Sequence, residues 1–167
     1  MRTLNRKAEK NRPVKPDAIL TESKFLELKR QLEKLKNASR PQAASEVRRL
    51  AEMGDFSENY AYQIAKGRLR GINNTILRLE HELQQATIIA PPAQTDTVQV
   101  GHAVTVECGG QMKIYRILGS AEIDLEKGII SRHSPLGSAL LGHRVGETIK
   151  LKLGEREVEY RVKKIES

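Results

Sequence analysis

The stretch AYQIAKGRLRGINNTILRLEHEL, residues 61–83, sets Ala61, Ala65, Leu69, Ile72, Ile76, Leu79 and Leu83 at alternating four- and three-residue steps. Such steps gather apolar side chains on one narrow stripe of an α-helix, the seam of a coiled coil rather than the wide face of a helix in a globule. A seam needs a partner. Upstream, Phe25, Leu28, Leu32 and Leu35 repeat the pattern with Glu, Lys and Arg between them, and the period resumes through Ala44, Val47 and Leu50. Pro41 interrupts the backbone donors, which predicts a kink or short break near Asn37 to Arg40. Two runs of about 30 residues joined at Gly54 predict an antiparallel helical hairpin over residues 21–86, each arm about 45 Å long. In that register Leu50 faces Tyr62, Val47 faces Ala65 and Leu35 faces Leu79, so the hairpin tapers toward its tip.

On either side of the hairpin the character changes. Residues 1–20 hold six basic and two acidic side chains with Pro13 and Pro16 and little apolar content, which predicts a disordered basic arm. Either the arm touches nucleic acid or a large partner, or it is a solvated tail. Residues 87–96 read as a proline-bearing linker. From 97 to 167 the period falls to two, and AVTVE, KIYRIL, GIIS, TIKLKL and EVEYRVKKI predict five short strands. Gly109–Gly110 and Gly154–Glu155 supply hairpin turns, and SPLGSALLG, residues 134–142, predicts a short helix with Pro135 at its first position. The fold class is therefore α+β: a long hairpin followed by a small, mainly antiparallel β domain with one short helix.

Composition narrows the functions. The 167 residues carry a net charge of +8, of which residues 1–20 contribute +4. That balance suits an encounter with nucleic-acid phosphates. No run of about 18 apolar residues is present to span a membrane, and no secretory leader opens the chain, so a soluble cytoplasmic protein is expected. The one cysteine, Cys108, cannot form an internal disulfide, and His81, His102, His133 and His143 are too scattered for a zinc site. The β domain offers no nucleophile and base pair.

GDFSENYAY, residues 54–62, joins the two arms. Helix chemistry alone accounts for it: Gly54 closes the first helix, Asp55 caps the second, and Glu58 three residues later completes a capping box. Capping does not account for Phe56, Tyr60 and Tyr62, half of the chain's six aromatic residues, clustered where a thin hairpin has little core. Two carboxylates on one turn also present the oxygen ligands that a hard cation takes, although two cannot hold Mg²⁺ without further donors. Both readings stand.

The chain outside the arm and linker resembles the bacterial Gre transcript-cleavage factors. The resemblance rests on GDFSENYAY at 54–62, RP at 40–41, YRI at 115–117, and ISRHSPLGSALLG with VGE within 130–147. It implies an FKBP-like C-terminal domain that docks on bacterial RNA polymerase, with the coiled coil reaching through the secondary channel to the active centre. By position, Asp55 and Glu58 are then the carboxylates that help hold a Mg²⁺ ion jointly with the polymerase, and Ser57 is a supporting polar group. Their implied task is to stimulate cleavage of backtracked nascent RNA at its 3′ end, as a monomeric accessory factor rather than as an enzyme in its own right. His133, Ser134, Pro135 and Leu136 fall in the implied docking loop.

Three positions depart from the family's usual pattern: Tyr60 where Ala is usual, Ala61 where an acidic residue is usual, and His133 where Asp or Asn is usual. Basic side chains near the tip, Arg48 and Arg49 on one arm and Lys66, Arg68 and Arg70 on the other, form either a solvated charge face or a track for extruded RNA. The track reading favours the B-type factors over the A-type. Two other functional readings are a catalytically weak channel binder that inhibits or regulates polymerase, and an active prolyl isomerase. The last needs an aromatic pocket, and Tyr115 and Tyr160 are the only aromatic residues after position 86.

Overall fold

The computed structural model describes residues 17–53, 60–153 and 156–167. Strand β1, Ile19–Thr21, leads into helix α1, Glu22–Lys34, followed by a π-helical turn over Leu35–Ser39 and helix α2, Arg40–Glu52. Helix α3, Tyr60–Gln85, returns, and strand β2, Thr87–Ile89, pairs parallel with β1. Residues 19 and 20, assigned from the sequence to the disordered arm, and 87–89, assigned to the linker, are thus a two-stranded ribbon at the hairpin's base. Two apolar residues on each side, Ile19 and Leu20 against Ile88 and Ile89, were too short a signal to separate from their polar neighbours.

Local chemistry explains the start of α1. Thr21 is extended, with φ −71° and ψ 155°, and its Oγ1 accepts the backbone N–H of Lys24 at 3.3 Å. Glu22 in the first turn complements the helix dipole.

The interruption predicted near Asn37 to Arg40 is a π turn beginning at Leu35, and the helix runs through it. The backbone N–H of Arg40 reaches the carbonyl of Leu35, and Pro41 then sits in the first turn of α2, where its missing donor costs least. This turn adds one residue to the period. Continuing from Phe25, Leu28, Leu32 and Leu35 without it would bring 42, 46 and 49 to the seam; with it, 43, 47 and 50 arrive there. Ala43 and Leu50 are buried and Val47 is half-buried, whereas Ala44, assigned to the stripe from the sequence, is exposed.

At the hairpin's base the register agrees with the expected one, since Leu35 packs against the cluster that holds Leu79. Leu28 and Leu79 are buried together at the base, flanked by Phe25, Leu32, Leu35 and Leu83, and Lys36 pairs with Glu80 across the arms. Toward the tip the buried residues include Ala43 and Ala65, so the seam narrows, although Leu50 keeps one large side chain inside.

The C-terminal sheet has the order β5-β4-β3-β7-β6. Its strands are β3, Ala103–Cys108; β4, Gln111–Leu118; β5, Ile129–Ser131; β6, Thr148–Leu153; and β7, Arg156–Glu166. All five expected strands form. The sheet is mixed, because β5 lies parallel to β4. A 3₁₀ turn at Ser120–Glu122 and the loop after it carry the chain back before β5 begins, where a hairpin would have reversed it.

Gly109 and Gly110, at φ 57° and 78°, make the two-residue turn between β3 and β4. The other expected turn, Gly154–Glu155, lies outside the described residues. Alternation buries Val104 and Val106 from β3 against Ile117, Val162 and Leu140, each worth about 1.5–3 kcal/mol of apolar burial. Leu140 comes from helix α4, Pro135–Leu140, which covers one face.

Candidate functional site

Asp55, Ser57 and Glu58 lie outside the described residues, as do Gly54 and Phe56. Their two supports are described. Helix α2 ends at Glu52, with Met53 69% exposed beyond it, and α3 opens at Tyr60, which is 79% exposed. Tyr62 is half-buried, with Lys66 Nζ 5.9 Å from its ring centroid. The apex of the hairpin is therefore flanked by outward-facing apolar side chains.

The five basic residues divide. Arg48 Nε bonds Glu52 at 3.0 Å, and Arg49 grips Glu46 through Nε at 2.9 Å and Nη2 at 2.7 Å while donating to Met53 Sδ. The hydrogen bond to Arg49, helped by its charge, holds the Glu46 carboxyl below the usual range, and the same contact raises Arg49. These two arginines fit the solvated charge face. Arg68 and Arg70 are exposed on α3 and make no ion pair among the described residues, and Arg68 shares a groove between the arms with Ser39, Gln42 and Glu46. Neither Gly67 nor Gly71 is required by packing, since a Cβ at either would meet open space.

The loop before α4 assigns different jobs to the four residues read as docking. Ser134 Oγ donates to the Ser131 carbonyl at 2.7 Å and accepts the Gly137 N–H at 3.0 Å, so it is the N-cap of α4. Leu136 packs on the sheet core. Pro135 and His133 face outward.

His133 Nε2 stands 3.2 Å from Asp17 Oδ2 and accepts a hydrogen bond from Arg132 Nε, which is itself 2.7 Å from the same Asp17 oxygen. Sequence reasoning missed Asp17, Thr21, Glu122, Arg132 and Gly137 here. Thr21 carried a legible N-cap signal, but nothing in the sequence pointed to contacts made across about 100 residues.

Among the described residues no group of three or more His, Cys, Asp or Glu side chains is placed to hold a metal ion. Asp55 and Glu58 offer hard oxygen donors of the kind Mg²⁺ takes, and two are too few for its octahedral shell. The donor set fits an ion shared with other ligands. Tyr115 packs against the sheet core and Tyr160 belongs to it, and neither lines any of the main clefts found among the described residues.

Comparison with known proteins accounts for both halves. Residues 18–88 match the N-terminal model of transcription elongation factor GreA/GreB, and 93–167 match its C-terminal model. The transcription elongation factor GreA of Staphylococcus aureus is 37% identical over 145 residues, 84% of this chain and 92% of that one. The chain belongs to the GreA/GreB family. GreA of Staphylococcus carnosus is 33% identical over 151 residues, covering 89% of this chain and 94% of that one. Among solved structures, the GreA factor homolog 1 of Thermus thermophilus is 28% identical and covers 90% of this chain and 99% of its own, with a TM-score of 0.42. In this GreA/GreB chain Tyr60 and Ala61 are both exposed on α3, so Ala61, assigned to the stripe from the sequence, lies off the seam, and these two departures alter the surface beside the apex.

Proposed function

We propose that this GreA/GreB-family chain acts on bacterial RNA polymerase, entering its secondary channel and stimulating cleavage of backtracked RNA. What supports the reading is that Asp55 and Glu58 stand in the sequence between the end of α2 at Glu52 and the start of α3 at Tyr60. The ascending arm, residues 22–52, runs without a break from a folded base, a reach of about 45 Å. A carboxylate pair so far from its own domain serves a site built by another molecule.

Each part then has a task. His133 and Pro135, held outward by the Ser134 cap, meet the polymerase. Asp55 and Glu58 contribute oxygen donors at the reacting phosphate, and Ser57 orients water or the RNA. When bound jointly with polymerase carboxylates, Mg²⁺ supplies Lewis-acid stabilisation and an activated water. Arg68 and Arg70 lie along α3 to take up phosphates of the extruded strand, the feature that favours B-type action. The chain supplies no complete active site and works as an accessory factor, as a single copy.

The test is RNA shortening in a stalled, backtracked elongation complex. Native protein releases short 3′ fragments, and Asp55→Asn/Glu58→Gln binds equally but releases none. If neither protein promotes cleavage while both bind, the acidic pair is a helix cap and the chain is a channel-blocking regulator.

A further inference from the structure

The hairpin and the sheet domain are joined covalently on one side only, through the residues that follow β2. On the other side, residues 17–21 lie along Gly119 and the 3₁₀ turn at Ser120–Glu122 and close the joint without a covalent bond. Thr21 donates both its backbone N–H and its hydroxyl to Glu122, to Oε1 and Oε2 respectively, each at 2.7 Å. Thr21 is also the N-cap of α1, so the carboxylate grips the first residue of the hairpin's helix. Two residues earlier, the Ile19 carbonyl abuts Gly119 so closely that a Cβ there would collide with it. Asp17, with a side chain only 6% exposed, accepts the Ser120 N–H on Oδ1 at 2.7 Å and faces Arg132 and His133 with Oδ2.

From there the contacts run on. Ser120 Oγ is 3.3 Å from Ser131 Oγ, and the Ser131 carbonyl receives the hydroxyl of Ser134, the cap of α4. The cap of the hairpin helix and the cap beside the outward loop thus sit at two ends of one polar contact path.

We propose that Asp17, Thr21 and Glu122 form a clamp that fixes the angle of the hairpin against the loop at 131–136, making Asp17 and Glu122 positioning residues for the hairpin tip. The inference rests on the proposed function for its purpose and on the contacts alone for its existence. Leverage sets its importance: on an arm of about 45 Å, a tilt of about 5° at the base moves the apex by about 4 Å. Reacting groups displaced by about 1 Å already lose up to about 100-fold in rate. A docked protein with a loose hairpin binds and fails to deliver its carboxylates.

The experiment uses the full chain with Cys108→Ala and spin labels on cysteines introduced at Asn73 on α3 and Lys152 on β6, both exposed. The native clamp gives one narrow distance distribution. Asp17→Asn/Glu122→Gln broadens it and lowers cleavage at saturating protein by about tenfold or more. Thr21→Ser keeps both donors and retains the native distances and rate.

A distribution as narrow in the double variant as in the native chain overturns the clamp. A broadened distribution with unchanged saturating cleavage overturns its positioning role. Should the native protein stimulate no cleavage, the proposed function fails, while the distance distributions still decide whether the clamp exists.

Discussion

Gly137 passes so close to the Ser131 carbonyl that a Cβ at 137 would collide with that oxygen and stand 2.9 Å from Ser134 Oγ. The close approach lets Ser134 reach the Ser131 carbonyl and the Gly137 N–H at once, which sets the outward loop. Gly137→Ala must push the α4 start away from Ser131 and break the cap. The expected loss is about 1–3 kcal/mol, seen as a lower thermal midpoint, with weaker polymerase binding. An unchanged midpoint would show that α4 can shift at no cost.

The opposite outcome is expected on the hairpin. Gly67 and Gly71 lie in mid-helix with open space around any added methyl. Gly67→Ala and Gly71→Ala should each stabilise α3 by about 0.4–1 kcal/mol, through higher helix propensity and a less mobile unfolded chain. Helical circular dichroism on heating reads this directly. A stabilised hairpin that cleaves RNA less well would place close backbone approach by RNA at these positions.

Alkaline stability of the sheet domain turns on Tyr160. Burial pushes its phenol above the ordinary value, and Cys108 and Tyr115 beside it push the same way. With the folded pKa raised, stability is intact below the unfolded value near 10 and is lost as pH rises through the folded one. Tyr160→Phe should remove this share of the alkaline loss, measured as the thermal midpoint against pH from 9 to 12. An identical slope in both proteins would assign the loss to other groups.

How far the sequence could be read follows from where each signal lies. The seam from Phe25 to Leu83 and the alternation in AVTVE and TIKLKL are local periodicities, and local periodicity survives folding. Ala44 was assigned to the seam because a π turn is invisible to a heptad count, although Pro41 marked the place where the helix had to adjust. The β1–β2 ribbon escaped notice because each of its strands has only three residues, and β5, expected as a strand from GIIS, gave no sign of its parallel direction, which its distant partner β4 sets. Ser134 and Leu136 were legible as parts of a loop beside Pro135, but not as its internal supports. Glu122 and Asp17 gave no signal, since their meaning comes from partners about 100 positions away. The acidic tip was the reverse case: its residues stood out in the sequence, and they lie outside the described part of the chain.

The central claim is that Asp55 and Glu58 help hold a catalytic cation at the polymerase active centre. Its most direct measurement is the Mg²⁺ concentration for half-maximal RNA cleavage in a backtracked complex, at saturating native protein, at saturating Asp55→Asn/Glu58→Gln, and with no factor. The expected result is a marked fall with the native protein alone, by about tenfold or more, since two added carboxylates strengthen the site. A requirement for Mg²⁺ that is the same in all three would contradict the account.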